Sequence, residues 1–383
     1  MSKKKNIPYS TQLIGADDIK EVVRVLKSGW LTQGPAIEKF ETAVADFCTV
    51  KYAVTVSSGT AALHSACFAI GLKAGDEVIV PTLSFAASAN CVAYLGAKPV
   101  LVDVVTETGN IDTRQIENNI TNKTRAIIGV DFAGHPASWD EILQIAKKNK
   151  LVTIDDAAHS LGSLYKGSKV GSLADLTVFS FHPVKTITSG EGGMVVTNNK
   201  FFFERIKRFR HHGMIKTPKL GGWYHKMIDL GYNYRMTDIQ AALGHSQLKK
   251  IDKFIKKRRE IHEKYNEAFE SLSFITCPKE KPDVKAAWHL YTARFNLGVL
   301  KRGKKRIYDY LKSKELGVQV HYIPVHLHPY YQKNLGYKKG QFPVAEKYYE
   351  GEISLPLFPK MTDKDVNYVI EIVKSLKDFD KKL

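Results

Sequence analysis

Alternating β-branched runs and helical patterns predict an α/β fold, a mostly parallel central sheet with helices on both faces. Two observations carry this reading. Between residues 50 and 200, short apolar runs alternate with stretches of helical length, the mark of strand–helix–strand units. Gly71, Gly75-Asp76, Gly96 and Gly134-His-Pro136 punctuate the joins, as turn residues do. A third observation, the change to long helices and sparse strands after residue 237, predicts a smaller C-terminal α+β domain. The expected division is residues 1–245, an N-terminal arm and large domain, and residues 246–383, the small domain.

The first strand, 52–56, reads YAVTV and runs into Ser57-Ser-Gly-Thr-Ala61, which opens a helix over 60–70. Further strands are expected at 77–80, 99–104, 125–131, 151–155, 176–181 and 193–197, all apolar and β-branched in character. Apolar residues at helical spacing place helices at 85–95, 138–148 and 201–211. After Gly231-Tyr-Asn-Tyr-Arg235 one long helical pattern runs from 237 to about 269. Beyond it lie strands at 291–297 and 317–321 and helices at 304–314, 344–349 and 362–376, the last N-capped by Thr362 or Asp363.

The chain has 383 residues, enough for a large core in two domains. No apolar run reaches the ~20 residues that span a bilayer. The start MSKKKNIPYS lacks the apolar centre of a secretory signal. Cys48, Cys67, Cys91 and Cys277 form no CxxC pair, which fits a reduced, cytoplasmic protein without disulfides or a cysteine zinc site. The net charge of +18 comes from lysines at both termini and from runs such as 147–148, 249–250 and 256–259. No zinc-finger, RNP or basic-zipper pattern accompanies them. A solvated surface is therefore expected rather than nucleic-acid binding, with a field that draws a phosphorylated small substrate as the further option.

Candidate chemistry gathers at strand ends. Ser57–Ala61 has small side chains and, at a helix start, free N–H groups suited to a phosphate; the same residues also read as a plain N-cap. Asp155-Asp156 ends the fifth strand. Only one of the two can face a site there, to bind metal, pair with a cation or cap a turn, and no metal-ligand spacing accompanies them. Lys185 follows the next strand in SFHPVKTITSGEGG. It is either a solvated lysine or, if desolvated, a nucleophile with a lowered pKa. Together, a phosphate cradle, a strand-end carboxylate and a lysine meet the needs of pyridoxal phosphate, whose ring nitrogen, phosphate and aldehyde each require a partner.

Over nearly its whole length the chain resembles the DegT/DnrJ/StrS sugar-nucleotide aminotransferases of the fold-type I pyridoxal-phosphate superfamily. The resemblance rests on SGWLTQGP, SSGTAAL, PTLSFAASAN, VDFAGHP, IDDAAHSLGS, SFHPVKTITSGEGGMVVT, GYNYRMTDIQAALG and QVHYIPVHLHPYY, in that order. It implies that the large domain binds pyridoxal 5'-phosphate, with Lys185 as the Schiff-base lysine and Asp156 as partner of the ring nitrogen. His159 would lie near the ring, Phe85 would stack on it, and Gly59, Thr60 and Ser180 would contact the phosphate. Asn233 would reach the phosphate of a neighbouring subunit, which implies a homodimer with shared active sites.

For the substrate, the resemblance assigns Tyr9, the segment Gly29, Trp30, Leu31 and Thr32, and the segment His321, Tyr322, Ile323 and Pro324 to a nucleotide-sugar cleft. Arg235 would meet the diphosphate. Packing is the competing reading for Trp30 and Tyr322, and a loop or surface place is expected for His326 and His328. The loop 216–225 (KTPKLGGWYH) would shape substrate or dimer contacts. Because Lys185 is present, transamination is implied rather than dehydration. His182 in SFHPVK resembles enzymes that aminate C4. The implied reaction moves an amino group from L-glutamate to a nucleotide-linked 4-keto-6-deoxy sugar, with UDP-4-amino-4,6-dideoxy-N-acetyl-β-L-altrosamine as the nearest product. Other UDP- or dTDP-linked sugars, or a non-catalytic cofactor-binding regulator, are the alternatives.

Overall fold

The computed structural model describes residues 6–381, so the lysines at 3–5 and the last two residues lie outside the described part. Two helices not expected above, α1 (Ala16–Leu26) and α2 (Pro35–Cys48), precede the first strand. The strands β1 (Tyr52–Val56), β2 (Glu77–Pro81), β3 (Lys98–Val102), β4 (Thr124–Val130) and β5 (Val152–Asp156) follow within a residue or two of expectation. A small hairpin, β6 (Leu164–Tyr165) and β7 (Ser168–Lys169), comes before β8 (Leu176–Ser180) and β9 (Gly193–Thr197). Helices α3 (Gly59–Ala69), α4 (Ala87–Ala93) and α5 (Trp139–Asn149) connect the strands, and α6 (Lys200–Phe209) follows them.

Seven strands form one sheet in the order β1-β9-β8-β5-β4-β2-β3. From β3 to β8 the pairs are parallel, while β9 is antiparallel to both its neighbours. β1 and β8 therefore run the same way, and the carboxyl ends of β1, β5 and β8 share one edge. Alternate residues of each strand serve opposite faces. Val54, Val78, Ile128, Val178 and Val195 pack with α3, α4 and α6. Their neighbours turn the other way: Ala53, Phe179 and Val196 meet α2, and Ile79 and Ile127 meet Trp139 and Ile142 of α5. Both faces are covered, which is why the strands read as continuous apolar runs.

A hairpin of β10 (Met214–Lys216) and β11 (His225–Met227) follows α6, with all six strand residues exposed. The single helix expected over 237–269 is two, α7 (Asp238–Leu248) and α8 (Ile251–Phe269). Lys250 leaves helical angles (φ −110°, ψ 2°), and its ammonium meets the buried Asp18 of α1 at 2.6 Å. No glycine or proline marks this break, so local pattern gives no warning of it.

In the C-terminal part β12 (Ile275–Thr276) precedes β13 (Val284–Lys285), which joins β6 and β7. β14 (Tyr291–Phe295), α9 (Leu297–Leu300), α10 (Lys304–Ser313), α11 (Pro329–Leu335) and α12 (Pro343–Gly351) follow. Then come β15 (Glu352–Leu355), antiparallel to β14, and α13 (Asp363–Lys374). Thr362 caps α13 through a reciprocal pair of bonds with Asp365.

The segment 317–321, expected as a strand, is a run of single bridges instead: Leu316 pairs with Ile7 and Gln319 with Ser354. At Gly317 a Cβ would stand 2.5 Å from the backbone nitrogen of Tyr9, so glycine permits the close approach that brings Tyr9 beside this segment. No described helix is long and apolar enough to cross a membrane.

Candidate active site

A cavity of about 580 Å³ opens at the edge where β1, β5 and β8 end, the place where sheets of this kind bind ligands. Ser58 Oγ accepts the N–H of Ala61 at 3.1 Å, and its carbonyl accepts that of Ala62. The cap reading thus holds for Ser58. The N–H groups of Gly59 and Thr60 have no acceptor within the helix, and both residues line the cavity. The positive end of α3 there attracts an anion. A Cβ on Gly59 would come 2.9 Å from the Cβ of Ser180. Glycine is what lets the end of β8 reach this turn.

Asp156 lines the cavity, and its Oδ2 accepts the Ser88 hydroxyl at 2.6 Å. Asp155 faces away, and both of its oxygens are buried without a hydrogen-bond partner. Burial raises the pKa of Asp156, opposed by the Ser88 hydroxyl, the Ala158 N–H and the charge of Lys185.

Lys185 sits half-buried in the turn after β8. Burial pushes its amine down to about 8; Asp156 pulls it up and Arg258 pushes it further down. A lysine so placed is partly neutral near neutral pH, hence nucleophilic. In cofactor-free protein, acylation of Lys185 is expected to show a midpoint of about 8, whereas exposed lysines wait for ~10.4. Peptide mapping across pH reads this, and a surface-like midpoint contradicts it.

His159 Nε2 lies 3.2 Å from the Tyr322 hydroxyl, and its Nδ1 is buried with no partner. Burial, then the charges of Lys185 and His321, hold His159 well below the usual histidine range. Phe85 is 59% exposed at the cavity, its ring 5.7 Å from that of Tyr322. Ser180, His182, Tyr9 and His321 also line it. Tyr322 is therefore a cavity residue as well as a packed one.

Other residues assigned above lie elsewhere in the chain. Gly29, Trp30, Leu31 and Thr32 are exposed on the approach to α2, with Thr32 bridged to Thr237. Asn233 is exposed beside His211. Arg235 donates to His211 Nδ1 at 2.9 Å and lines a separate cavity of about 590 Å³ between α2 and α6. Ile323 is exposed, and Pro324 is buried outside the cavity lining.

Two expectations are corrected. His326 is not a surface histidine: it is fully buried between Thr82 Oγ1 (2.7 Å) and Glu346 Oε1 (3.0 Å). Arg258, in the supposedly solvated run 256–259, is 1% exposed and donates to the carbonyls of His289 and Leu357. Ser88 and His289 are further neighbours of the site that sequence reading passed over. Ser88 stands inside the quoted PTLSFAASAN without a charge to draw notice, and His289 packs its ring 4.4 Å from that of His159.

The donor set fits pyridoxal phosphate: an anion-binding helix start, a buried carboxylate hydrogen-bonded rather than ion-paired, an unpartnered His159 nitrogen, and a lysine of lowered pKa. Fold and cavity together define a pyridoxal-phosphate-dependent aminotransferase. More narrowly, the chain belongs to the DegT/DnrJ/EryC1/StrS aminotransferase family, whose model matches residues 12–374.

It is 40% identical to the UDP-4-amino-4,6-dideoxy-N-acetyl-β-L-altrosamine transaminase of Campylobacter jejuni strain 81-176, over 97% of each chain. It is 41% identical to the GDP-perosamine synthase of Escherichia coli O157:H7, over 96% of this chain and 98% of that one. Among solved structures, Helicobacter pylori PseC, an aminotransferase involved in the biosynthesis of pseudoaminic acid, matches with a TM-score of 0.93 at 34% identity. That match covers 98% of this chain and 100% of PseC. Spr1654 from Streptococcus pneumoniae, solved in its PLP form, matches with a TM-score of 0.92 at 33% identity, over 98% and 100%.

Proposed function

We propose that this enzyme transfers an amino group from L-glutamate to C4 of a nucleotide-linked 4-keto-6-deoxy sugar. UDP-4-amino-4,6-dideoxy-N-acetyl-β-L-altrosamine is the favoured product. The observation that carries the proposal is the meeting of Lys185, Asp156 and the start of α3 in one cavity, in a chain 40% identical to a transaminase of that name. When bound, the cofactor supplies an aldehyde that captures an amino group and a ring that withdraws electrons.

This chain's residues then do the following. Gly59 and Thr60 N–H groups and the Ser180 hydroxyl hold the phosphate, and Phe85 offers its face to the ring. Asp156 would keep the ring nitrogen protonated, and that pairing would offset the cost of burying its carboxylate. Lys185 would hold the cofactor and, as a free amine, would carry a proton from the carbon beside the substrate nitrogen. His159 orients the ring through its unpartnered nitrogen. Tyr9, His182, His321 and Tyr322 line the space left for the sugar.

A homodimer completes the site. The hairpin region exposes Trp223, Met227 and Leu230, at 79%, 65% and 79%, an apolar surface that a second copy would cover. Asn233 and Arg235 would reach the partner's phosphate and diphosphate groups, and Gly29–Thr32 its cleft. Mixing inactive Lys185→Ala subunits with inactive Asn233→Ala subunits should restore roughly a quarter of the activity, one intact site per hybrid. No restoration after confirmed subunit exchange argues against shared sites.

The relative that makes GDP-perosamine is equally similar, so a GDP-linked sugar is the second reading. Incubation with glutamate and a panel of UDP-, dTDP- and GDP-linked 4-keto-6-deoxy sugars, with products read by NMR, tests the proposal. The UDP-N-acetyl sugar should turn over fastest; amination at C3, or of no sugar in the panel, contradicts it.

A further inference from the structure

Behind the cavity wall at His321 lies a chain of polar groups that the steps above do not use. His321 Nδ1 is 2.8 Å from Ser354 Oγ. Ser354 Oγ in turn bonds Glu352 Oε1. The other carboxylate oxygen, Oε2, accepts the backbone N–H of His321 at 2.7 Å. Glu352 and Ser354 are 0% exposed, and of the three only His321 lines the cavity.

A hydroxyl has a single proton to donate, so two arrangements satisfy this chain. With Glu352 ionised, Ser354 donates to the carboxylate and accepts from Nδ1–H, which leaves His321 Nε2 as an acceptor. With Glu352 protonated on Oε1, the acid donates to Ser354, Ser354 donates to Nδ1, and Nε2 carries the proton. The end of the chain at the cavity is therefore acceptor or donor according to a residue buried behind it.

We propose that Glu352, Ser354 and His321 form a proton relay that takes the ammonium proton of the entering amino donor and later returns it to the product amine. The proposal rests on the reading of this cavity as the transamination site. Each transfer balances. The ammonium gives a proton to Nε2, Nδ1–H passes to Ser354, and the serine proton passes to Oε1. The amine keeps its electron pair, imidazole and serine stay neutral, and the carboxylate becomes a carboxylic acid. The reverse transfer protonates the new amine and restores the carboxylate, with nothing else consumed. Glu352 and Ser354 are thus positioning residues for His321.

The surroundings favour a proton on Glu352 over one added to the imidazole. Burial raises the Glu352 carboxyl above the usual range, against the pull of Ser354, the His321 N–H and Lys304. Burial, helped by the charge of Lys185, pushes His321 down to about 3. Lys304 of α10 and Tyr348 of α12 face Glu352, and Arg294, its partner on β14, turns its guanidinium onto the Tyr348 ring at 5.0 Å. Lys185, His159, His289, Tyr9 and Tyr322 face His321.

Nitrogen-15 NMR of histidine-labelled holoenzyme reads the relay, with the His321 signal assigned by its loss in His321→Asn. From about pH 6 to about pH 10 the wild type should cross from the Nε2–H to the Nδ1–H tautomer. In Glu352→Gln the His321 backbone N–H keeps the amide oxygen at the Oε2 position and turns the amide N–H toward Ser354. That variant should hold the Nε2–H form at every pH and slow the reaction with glutamate ~100-fold, while the cofactor spectrum persists. Ser354→Ala should abolish the crossing, and it decides alone if Glu352→Gln does not fold. A single tautomer in the wild type, or an unchanged crossing in either variant, overturns the relay. Because the tautomer is read without substrate, a wrong assignment of sugar or nucleotide leaves this test intact.

Discussion

Lys185→Ala is expected to lower kcat by on the order of 10,000-fold, because it removes the group proposed both to anchor the cofactor and to move the proton. The fold should survive. Lys185 is half-buried, and its turn is held by backbone bonds such as its own N–H to the carbonyl of His182 at 2.9 Å. Removing a buried amine also removes the desolvation that pushes its pKa down to about 8. Unchanged far-UV circular dichroism with lost turnover and an altered visible cofactor spectrum is the expected pattern. Full turnover in the variant would remove Lys185 from the mechanism.

Asp156→Asn should cost ~100- to 1,000-fold in kcat, the scale of losing one preorganised electrostatic partner. The substitution keeps the shape of the side chain and leaves a carbonyl oxygen able to accept the Ser88 hydroxyl, now 2.6 Å from Oδ2. What it removes is the negative charge proposed to keep the ring nitrogen protonated. Raising the pH should not rescue the variant, since the amide does not ionise. Steady-state kinetics across pH checks this, and near-wild-type kcat would show that Asp156 has another task.

The parallel sheet is legible in the amino-acid sequence because its strands are buried on both faces. Val78-Ile79-Val80 and Ile127-Ile128 therefore stand out as continuous apolar runs between glycine turns. Lys185 and Asp156 are legible through the company they keep, one strand apart and each beside a distinctive turn. Other features depend on contacts distant in sequence. The break at Lys250 serves Asp18, more than two hundred residues away. β15 exists by pairing with β14, and its four residues, EISL, carry little strand signal of their own. Arg258 reads as part of a basic run, yet it shares a helix face with Phe254, Ile261 and His262, all buried. Only the helical spacing hinted at that. Trp30, assigned to substrate, and Asn233, assigned to a neighbouring subunit's phosphate, both lie outside the cavity, and only the proposed second subunit would give them a role.

Transfer of nitrogen-15 from labelled glutamate to a nucleotide-linked 4-keto-6-deoxy sugar tests the central claim most directly. With cofactor-loaded enzyme the label should appear bonded to C4 of the sugar, and it should be absent with Lys185→Ala. Label that stays in glutamate for every UDP-, dTDP- and GDP-linked sugar offered, or that reaches the sugar equally well without Lys185, would contradict it.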